Sequence, residues 1–339
     1  MYKILVTRNI PGNYIEKIEN MEIEVFSGKG SMREWLLSNI GSADGILITL
    51  NEKIDKELID HGKKLKVIST YSVGYDHIDV EYAKSKGIIV TNTPEVLTDA
   101  TADLIFGLMI AAARNIVSGN NLIHKNEWKA GWNPTFMLGS EIHGKTLGIV
   151  GMGRIGKAIA RRASGFDMKI IYYSRHRHDV DADFVSIDEL LQKSDFVIIA
   201  LDLNADTFHF MDYRKISKMK KTAFLINGTR GKIVNEKDLV RALDEKIIGG
   251  AALDVFEDEP VDNTNPLLSF NNVVVTPHIG SATYETRDKM AETAVTNLFN
   301  VFQPALGHIY FICECRTAYL CHVNFNFLEL DSIVIANIL

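Results

Sequence analysis

Apolar positions along the chain fall into short runs separated by amphipathic stretches. Residues 2–7, 23–26, 45–49, 67–70 and 88–91 read as buried strands, with helical segments such as 54–62 between them. The rhythm returns in the second half, where 145–150, 169–173, 196–200, 223–226, 250–253 and 273–276 carry the strand signal. Strands alternating with helices predict parallel α/β sheets. Pro94 breaks the chain, and Thr98 or Asp99 can cap a long helix over about 100–115. The apolar stretch from Leu104 to Ala113 is too short to span a bilayer and reads as a buried helix. There is no internal repeat beyond this rhythm and no low-complexity segment.

The strand at 145–150 runs directly into Gly151-Met152-Gly153-Arg154-Ile155-Gly156, and an Ala-rich helical stretch follows. The three glycines suit a tight turn, close backbone approach to a pyrophosphate, and close packing of helix on strand. The helix N-terminus at Arg154 and Ile155 offers N–H groups and a positive dipole end to phosphates. A glycine pattern alone is a weak signal, but its place between a strand and a helix strengthens it. Because the motif sits mid-chain, another domain is expected before it.

Composition changes this picture little. The chain has 339 residues, enough for about two domains, with 46% hydrophobic and 24% charged residues. A net charge of −6 gives no reason to expect nucleic acid or an anionic membrane as partner. The N-terminus reads as a first strand, since no basic region or cleavage site marks a leader. Cys313, Cys315 and Cys321 all lie near the C-terminus, so the body has no cysteine to pair, which suits a reducing cytoplasm.

The strand at 169–173 ends where an NAD enzyme usually places Asp or Glu to bind the ribose 2′-hydroxyl. The residues there are Ser174-Arg175-His176-Arg177, with no carboxylate. Arg grips phosphate with a planar, bidentate fork, so an NADP(H) 2′-phosphate pocket is favoured over a merely solvated basic loop. NAD(H) remains the second possibility.

Three later strand ends carry chemistry. Asn227-Gly228-Thr229-Arg230-Gly231 places an arginine between glycines, Asp254 to Pro260 clusters acids around Glu259, and Thr276-Pro277-His278-Ile279-Gly280 places a histidine after a proline. Singly, Arg230 could be a surface residue, Glu259 a solvated turn acid and His278 a loop histidine. Together, at the C-terminal ends of strands in a nucleotide fold, they suit one ligand crevice.

These blocks, with Ser72-Val73-Gly74-Tyr75-Asp76-His77-Ile78-Asp79, Thr91-Asn92-Thr93-Pro94, Thr98-Asp99-Ala100-Thr101-Ala102-Asp103 and Pro277-His278-Ile279-Gly280-Ser281-Ala282, resemble the D-isomer-specific 2-hydroxyacid dehydrogenase family. Within it they are most similar to the glyoxylate/hydroxypyruvate reductases, over about residues 1–302. The resemblance implies an α/β fold of two Rossmann-like parallel-sheet domains, the nucleotide-binding domain inserted into a discontinuous substrate-binding domain. Residues 1–97 and 281–302 would form the substrate-binding domain and 98–280 the NADP(H)-binding domain. A dimerisation arm at about 115–147, carrying Trp128 and Trp132, would make a homodimer.

The resemblance also implies roles. His278 would be the general acid, Glu259 would pair with its imidazolium and keep it charged near neutral pH, and Arg230 would bind and polarise the 2-oxo acid. Val73 and Gly74 N–H groups would hold the substrate carboxylate, with Trp132 also lining the substrate site. Thr101, Gly151, Gly153, Arg154, Ile155, Gly156, Ser174, Arg175, Arg177, Asp254 and Gly280 would bind the cofactor, Asp254 through the nicotinamide carboxamide. No metal is expected. The function expected is NADPH-preferring reduction of glyoxylate and hydroxypyruvate to glycolate and D-glycerate, without nucleic acid or membrane partners. Rivals are another D-2-hydroxyacid dehydrogenase, such as a 2-ketogluconate reductase, and a non-enzymatic NAD(H)-sensing corepressor.

Two departures from the family pattern stand out. Gly228 before Thr229 is expected to loosen the arginine turn, and Asp202 replaces a usual proline on the adenine side. Residues 303–339 read as a divergent tail.

Overall fold

The computed structural model describes residues 1–16, 20–129 and 131–303, together with a short antiparallel pair, Ile309–Tyr310 with His322–Val323. The rest of the expected tail, with its three cysteines, lies outside the described residues. The chain divides into two compact units: Met1–Val96 with the chain from Tyr284 onward, and Leu97–Thr283.

In the first unit, β1 (Tyr2–Val6), β2 (Met21–Val25), β3 (Gly45–Ile48), β4 (Val67–Thr70) and β5 (Ile89–Thr91) form a parallel sheet in the order β2-β1-β3-β4-β5. Every residue of β3 and β4 is buried, which is why neither alternates apolar with polar positions: β3 is apolar throughout, and β4 closes on the buried hydroxyl residues Ser69 and Thr70. Helices α1 (Met32–Asn39), α2 (Lys56–His61) and α3 (Val80–Ser85) start where Ser31, Asp55 and Asp79 each accept a backbone N–H of the first turn.

The second unit opens with α4 (Thr98–Ala113) and α5 (Ile116–His124). Then follow β6 (Thr146–Val150), α6 (Arg154–Ser164), β7 (Lys169–Tyr173), β8 (Asp183–Phe184), α7 (Ile187–Lys193), β9 (Phe196–Ile199), α8 (Tyr213–Ile216), β10 (Phe224–Asn227), α9 (Glu236–Asp244), β11 (Gly250–Leu253) and β12 (Val273–Val275). Its sheet is parallel throughout, in the order β12-β11-β10-β9-β6-β7-β8. The period of two along β9 sorts the core: Phe196 and Ile198 face the α4 and α6 side, while Val197 and Ile199 join Leu239 and Leu243 of α9 on the other. Each such fully buried side chain contributes roughly 1.5–3 kcal/mol of apolar transfer. No single helix among the described residues is long and apolar enough to cross a membrane.

The chain then returns to the first unit as α10 (Tyr284–Phe302). The Ala294 carbonyl accepts the Ser69 hydroxyl at 2.8 Å, and the Asn297 amide donates to the Asn92 carbonyl at 2.9 Å.

Two local expectations change. Neither Thr98 nor Asp99 caps α4: Leu97 holds the cap position without a side-chain bond, and the Asp99 carboxylate is taken by Arg161 and Arg162 of α6. The edge strand β8, pairing Asp183 with Ile171 and Phe184 with Tyr172, has no apolar run to announce it.

Candidate active site

β6 ends in Gly151 at φ +102°, and a Cβ there would stand 2.3 Å from the Ala200 carbonyl oxygen beyond β9. A Cβ on Gly156 would stand 2.2 Å from the Gly151 oxygen, so α6 can start this close only without that side chain. At Gly153, the N-cap of α6, a Cβ would meet nothing within 4 Å. No side chain caps the helix at Arg154 and Ile155. An open backbone face at a helix N-terminus fits a pyrophosphate.

β7 delivers the chain to an open loop in which Arg175 and Arg177 are exposed and the Ser174 hydroxyl donates to the His176 carbonyl. The loop is pinned from beneath. The hydroxyl of Tyr172, whose ring is fully buried, accepts the His178 N–H at 2.8 Å and donates to the His178 carbonyl at 3.1 Å.

The carboxylate of Asp254, fully buried after β11, organises the loop after β12. Its Oδ1 accepts the Thr276 hydroxyl at 2.6 Å and the Ile279 N–H at 2.9 Å, and its Oδ2 accepts the Gly280 N–H at 2.8 Å. Burial raises the Asp254 carboxyl above its ordinary range, against the opposing pull of these donors and of the His278 charge. Between the latched residues, His278 sits at φ +53°, uncommon for a side-chain-bearing residue, with its N–H bonded to the Asp254 carbonyl at 2.8 Å. A Cβ on Gly280 would lie 3.4 Å from both Asp254 Oδ2 and Thr101 Cγ2, so Thr101, Asp254 and Gly280 meet in one place.

His278 Nδ1 lies 2.6 Å from Glu259 Oε2, and Glu259 Oε1 accepts the Phe256 N–H at 3.0 Å. Burial pushes the Glu259 carboxyl up, but the bond from His278, the Phe256 N–H and the charges of His278 and Arg230 together hold it below its ordinary range. Arg230, extended at φ −138°, is therefore close enough to act on Glu259. Gly231 lets its turn press on the Phe256–Glu257 backbone, where a Cβ would come within 1.9 Å. Gly228 does not loosen the turn as expected. A Cβ there would meet Ile105 at 2.5 Å, so the glycine lets the turn close down on α4, and Asn227 Oδ1 accepts both the N–H and the hydroxyl of Thr229 at 3.2 Å.

In the first unit, the Asn92 amide donates to the Val73 carbonyl at 2.8 Å and the Ser72 hydroxyl to the Gly74 carbonyl at 2.7 Å. The N–H groups of Val73 and Gly74 have no acceptor among the described residues. Successive N–H groups left this way suit an anion.

The second unit thus brings Arg230, Glu259 and His278 together, with Asp254, Thr101 and Gly280 beside them. It does not bring Trp132 into that network; the indole is 85% exposed on the segment after α5. Sequence reasoning missed Asn227, Thr276 and Asn92, whose side chains hold the turns in place. The only signal they carried was a hydrogen-bonding residue at a strand end. Among the described residues no cluster of three or more His, Cys, Asp or Glu is placed to hold a metal ion.

Residues 106–280 match the D-isomer specific 2-hydroxyacid dehydrogenase NAD binding domain. The chain is 47% identical over 306 residues to the glyoxylate reductase of Pyrococcus horikoshii, covering 87% of this chain and 91% of that protein. Among solved structures, the TT0316 protein of Thermus thermophilus superposes with a TM-score of 0.85 at 42% identity, covering 89% and 97% of the two chains. An NADPH-dependent glyoxylate/hydroxypyruvate reductase of Sinorhizobium meliloti, in complex with NADP and malonate, superposes with a TM-score of 0.80 at 32% identity, covering 89% and 93%.

Proposed function

Because the chain belongs to the D-isomer specific 2-hydroxyacid dehydrogenase family and is an NAD(P)-dependent dehydrogenase, we propose that it reduces glyoxylate and hydroxypyruvate to glycolate and D-glycerate, with NADPH preferred over NADH. The observation that carries this reading is the His278–Glu259 contact at 2.6 Å beside Arg230, in the unit that also holds the glycine turn. Relatives named glyoxylate reductase, and the NADPH-dependent neighbour, support it.

The glycine turn, Thr101, Asp254 and Gly280 would hold the dinucleotide, which when bound in reduced form supplies a hydride to C2 of the 2-oxo acid. Arg230 binds that acid and polarises its carbonyl, and the Val73–Gly74 N–H pair takes its carboxylate. His278 gives its proton to the carbonyl oxygen as the carbon is reduced, and ionised Glu259 stabilises the imidazolium beforehand and orients the ring. Asp254 keeps the strained His278 turn in shape from behind. Arg175 and Arg177 would meet the 2′-phosphate. A second copy of the chain is the proposed partner for the exposed apolar stretch of Ile116, Val117, Ile123, Trp128 and Leu138, with Trp132 reaching substrate.

The test is kcat/KM for glyoxylate and hydroxypyruvate with each cofactor, in wild type and in Ser174→Asp combined with Arg175→Ala. Two charge-assisted hydrogen bonds of about 1.5–3 kcal/mol each favour NADPH by roughly 10²-fold or more. The double variant should reverse the preference, because the new acid repels the phosphate and accepts from a free 2′-hydroxyl. A wild-type preference for NADH would overturn the cofactor assignment. Absence of turnover with either acid would overturn the substrate assignment.

A further inference from the structure

The loop bearing Val73 and Gly74 is backed by a chain of side chains whose direction can be counted. Ser72 Oγ donates to the Gly74 carbonyl at 2.7 Å, which uses the only proton of that hydroxyl. At the 2.7 Å contact between Thr70 Oγ1 and Ser72 Oγ, the donor is then Thr70, which uses its only proton too. At the 3.1 Å contact between Thr70 Oγ1 and His77 Nε2, the histidine must therefore donate. Thr70 is fully buried and Ser72 nearly so, hence water cannot replace a missing member. The chain runs one way, from His77 Nε2–H through Thr70 and Ser72 to the Gly74 carbonyl, while Asn92 holds the Val73 carbonyl.

We propose that His77, acting through Thr70 and Ser72, is a positioning residue that holds the Gly74 carbonyl back and so aims the Val73 and Gly74 N–H groups at the substrate carboxylate. The inference rests on the reading of those N–H groups as the carboxylate cradle. None of the three side chains touches substrate. By tying Ser72 to the Gly74 carbonyl, they close the loop around the two peptide groups between those residues, which carry the Val73 and Gly74 N–H groups.

The cradle grips a carboxylate that is unchanged by the reaction, so loosening it weakens ground state and transition state alike. With glyoxylate and NADPH, Thr70→Val and Ser72→Ala should each raise KM by about tenfold while kcat falls by less than about threefold, a uniform-binding loss. Thr70→Ser, which keeps the donor and acceptor, should restore KM. The double variant Thr70→Val/Ser72→Ala should be no worse than either single variant, because one break already severs the chain. His77→Phe should behave like Thr70→Val, and His77→Gln, which supplies an N–H donor, should recover part of the loss. NADPH affinity, read by fluorescence titration, should stay at the wild-type value in all of them. Val73→Pro, which deletes one N–H of the cradle, separates the two claims. If it leaves KM unchanged, the cradle reading falls. If it raises KM while Thr70→Val and Ser72→Ala do not, the relay falls alone. Additive effects, failure of Thr70→Ser to rescue, or parallel loss of NADPH binding would also overturn the relay.

Discussion

Replacing Glu259 by Gln keeps the shape of the side chain and removes its charge. Its two oxygens now accept from Phe256 N–H at 3.0 Å and from His278 Nδ1 at 2.6 Å. A glutamine has one oxygen for those two donors, so in either orientation its amide N–H₂ faces an N–H and one bond is lost. If the amide oxygen keeps Phe256, the imidazolium loses its counter-charge. A charge-assisted hydrogen bond contributes about 1.5–3 kcal/mol. The two side chains are 30% and 32% exposed, so water screens the pair and the lower figure applies. At about 1.4 kcal/mol per tenfold, loss of that bond should slow reduction by about tenfold. Reductive kcat/KM, measured from NADPH consumption with glyoxylate, should fall by that factor near neutrality. The deficit should shrink as pH falls through the lowered native value of Glu259, because the protonated wild-type carboxyl then lacks the same charge that the variant lacks. A loss of equal size at every pH would mean that Glu259 only holds the loop, and an unimpaired variant would remove it from the mechanism.

Three further outcomes follow from the same geometry. His278→Ala should lower kcat by roughly 10²–10⁴-fold, the share of a positioned general acid, with NADPH affinity in fluorescence titration little changed; near-normal turnover would dismiss His278 as the acid. Because the Glu259 carboxyl is depressed in the folded protein, the stability it contributes is present above its ordinary range and lost as pH falls through its lower native value. Urea titrations of wild type and Glu259→Gln should therefore differ by a constant amount at neutral pH and converge in acid, and a gap that widens in acid would contradict the direction. Gly156→Ala puts a methyl 2.2 Å from the Gly151 oxygen and should weaken both folding stability and NADPH binding; unchanged values for both would show that the turn has room to spare.

Much of the fold was readable because its strands are simple. Gly250–Leu253 is buried at every position and shows as an uninterrupted apolar run with the bounds observed, and Val67–Thr70, equally buried, ends in two small hydroxyl residues. The edge strand Asp183–Phe184 is exposed at both residues and had no such signature. Gly228 misled for a related reason: its value lies in what it lets Ile105 do, and Ile105 is remote in sequence. Within the site, residue types could be read from motifs but hydrogen-bond partners could not. Asp254 is read from the sequence as a cofactor residue, and nothing in the sequence tells that its oxygens also take Thr276, Ile279 and Gly280. Thr70, Ser72 and His77 are neighbours along the chain, yet only the curl of the loop after β4 lines their polar atoms up.

The buried Tyr172 hydroxyl that clasps both backbone groups of His178 makes the stretch from Ser174 to Arg177 a replaceable cassette. Its entrance is held by the β6–β7 ladder and its exit by a single phenol, and none of its four side chains is buried. Exchanges within it leave the sheet, the core and the loop that carries His278 untouched. On the proposed reading of Arg175 and Arg177, redox-partner choice in such a scaffold can drift by single-codon steps without passing through a misfolded ancestor, whereas the loop that carries His278 has no comparable liberty.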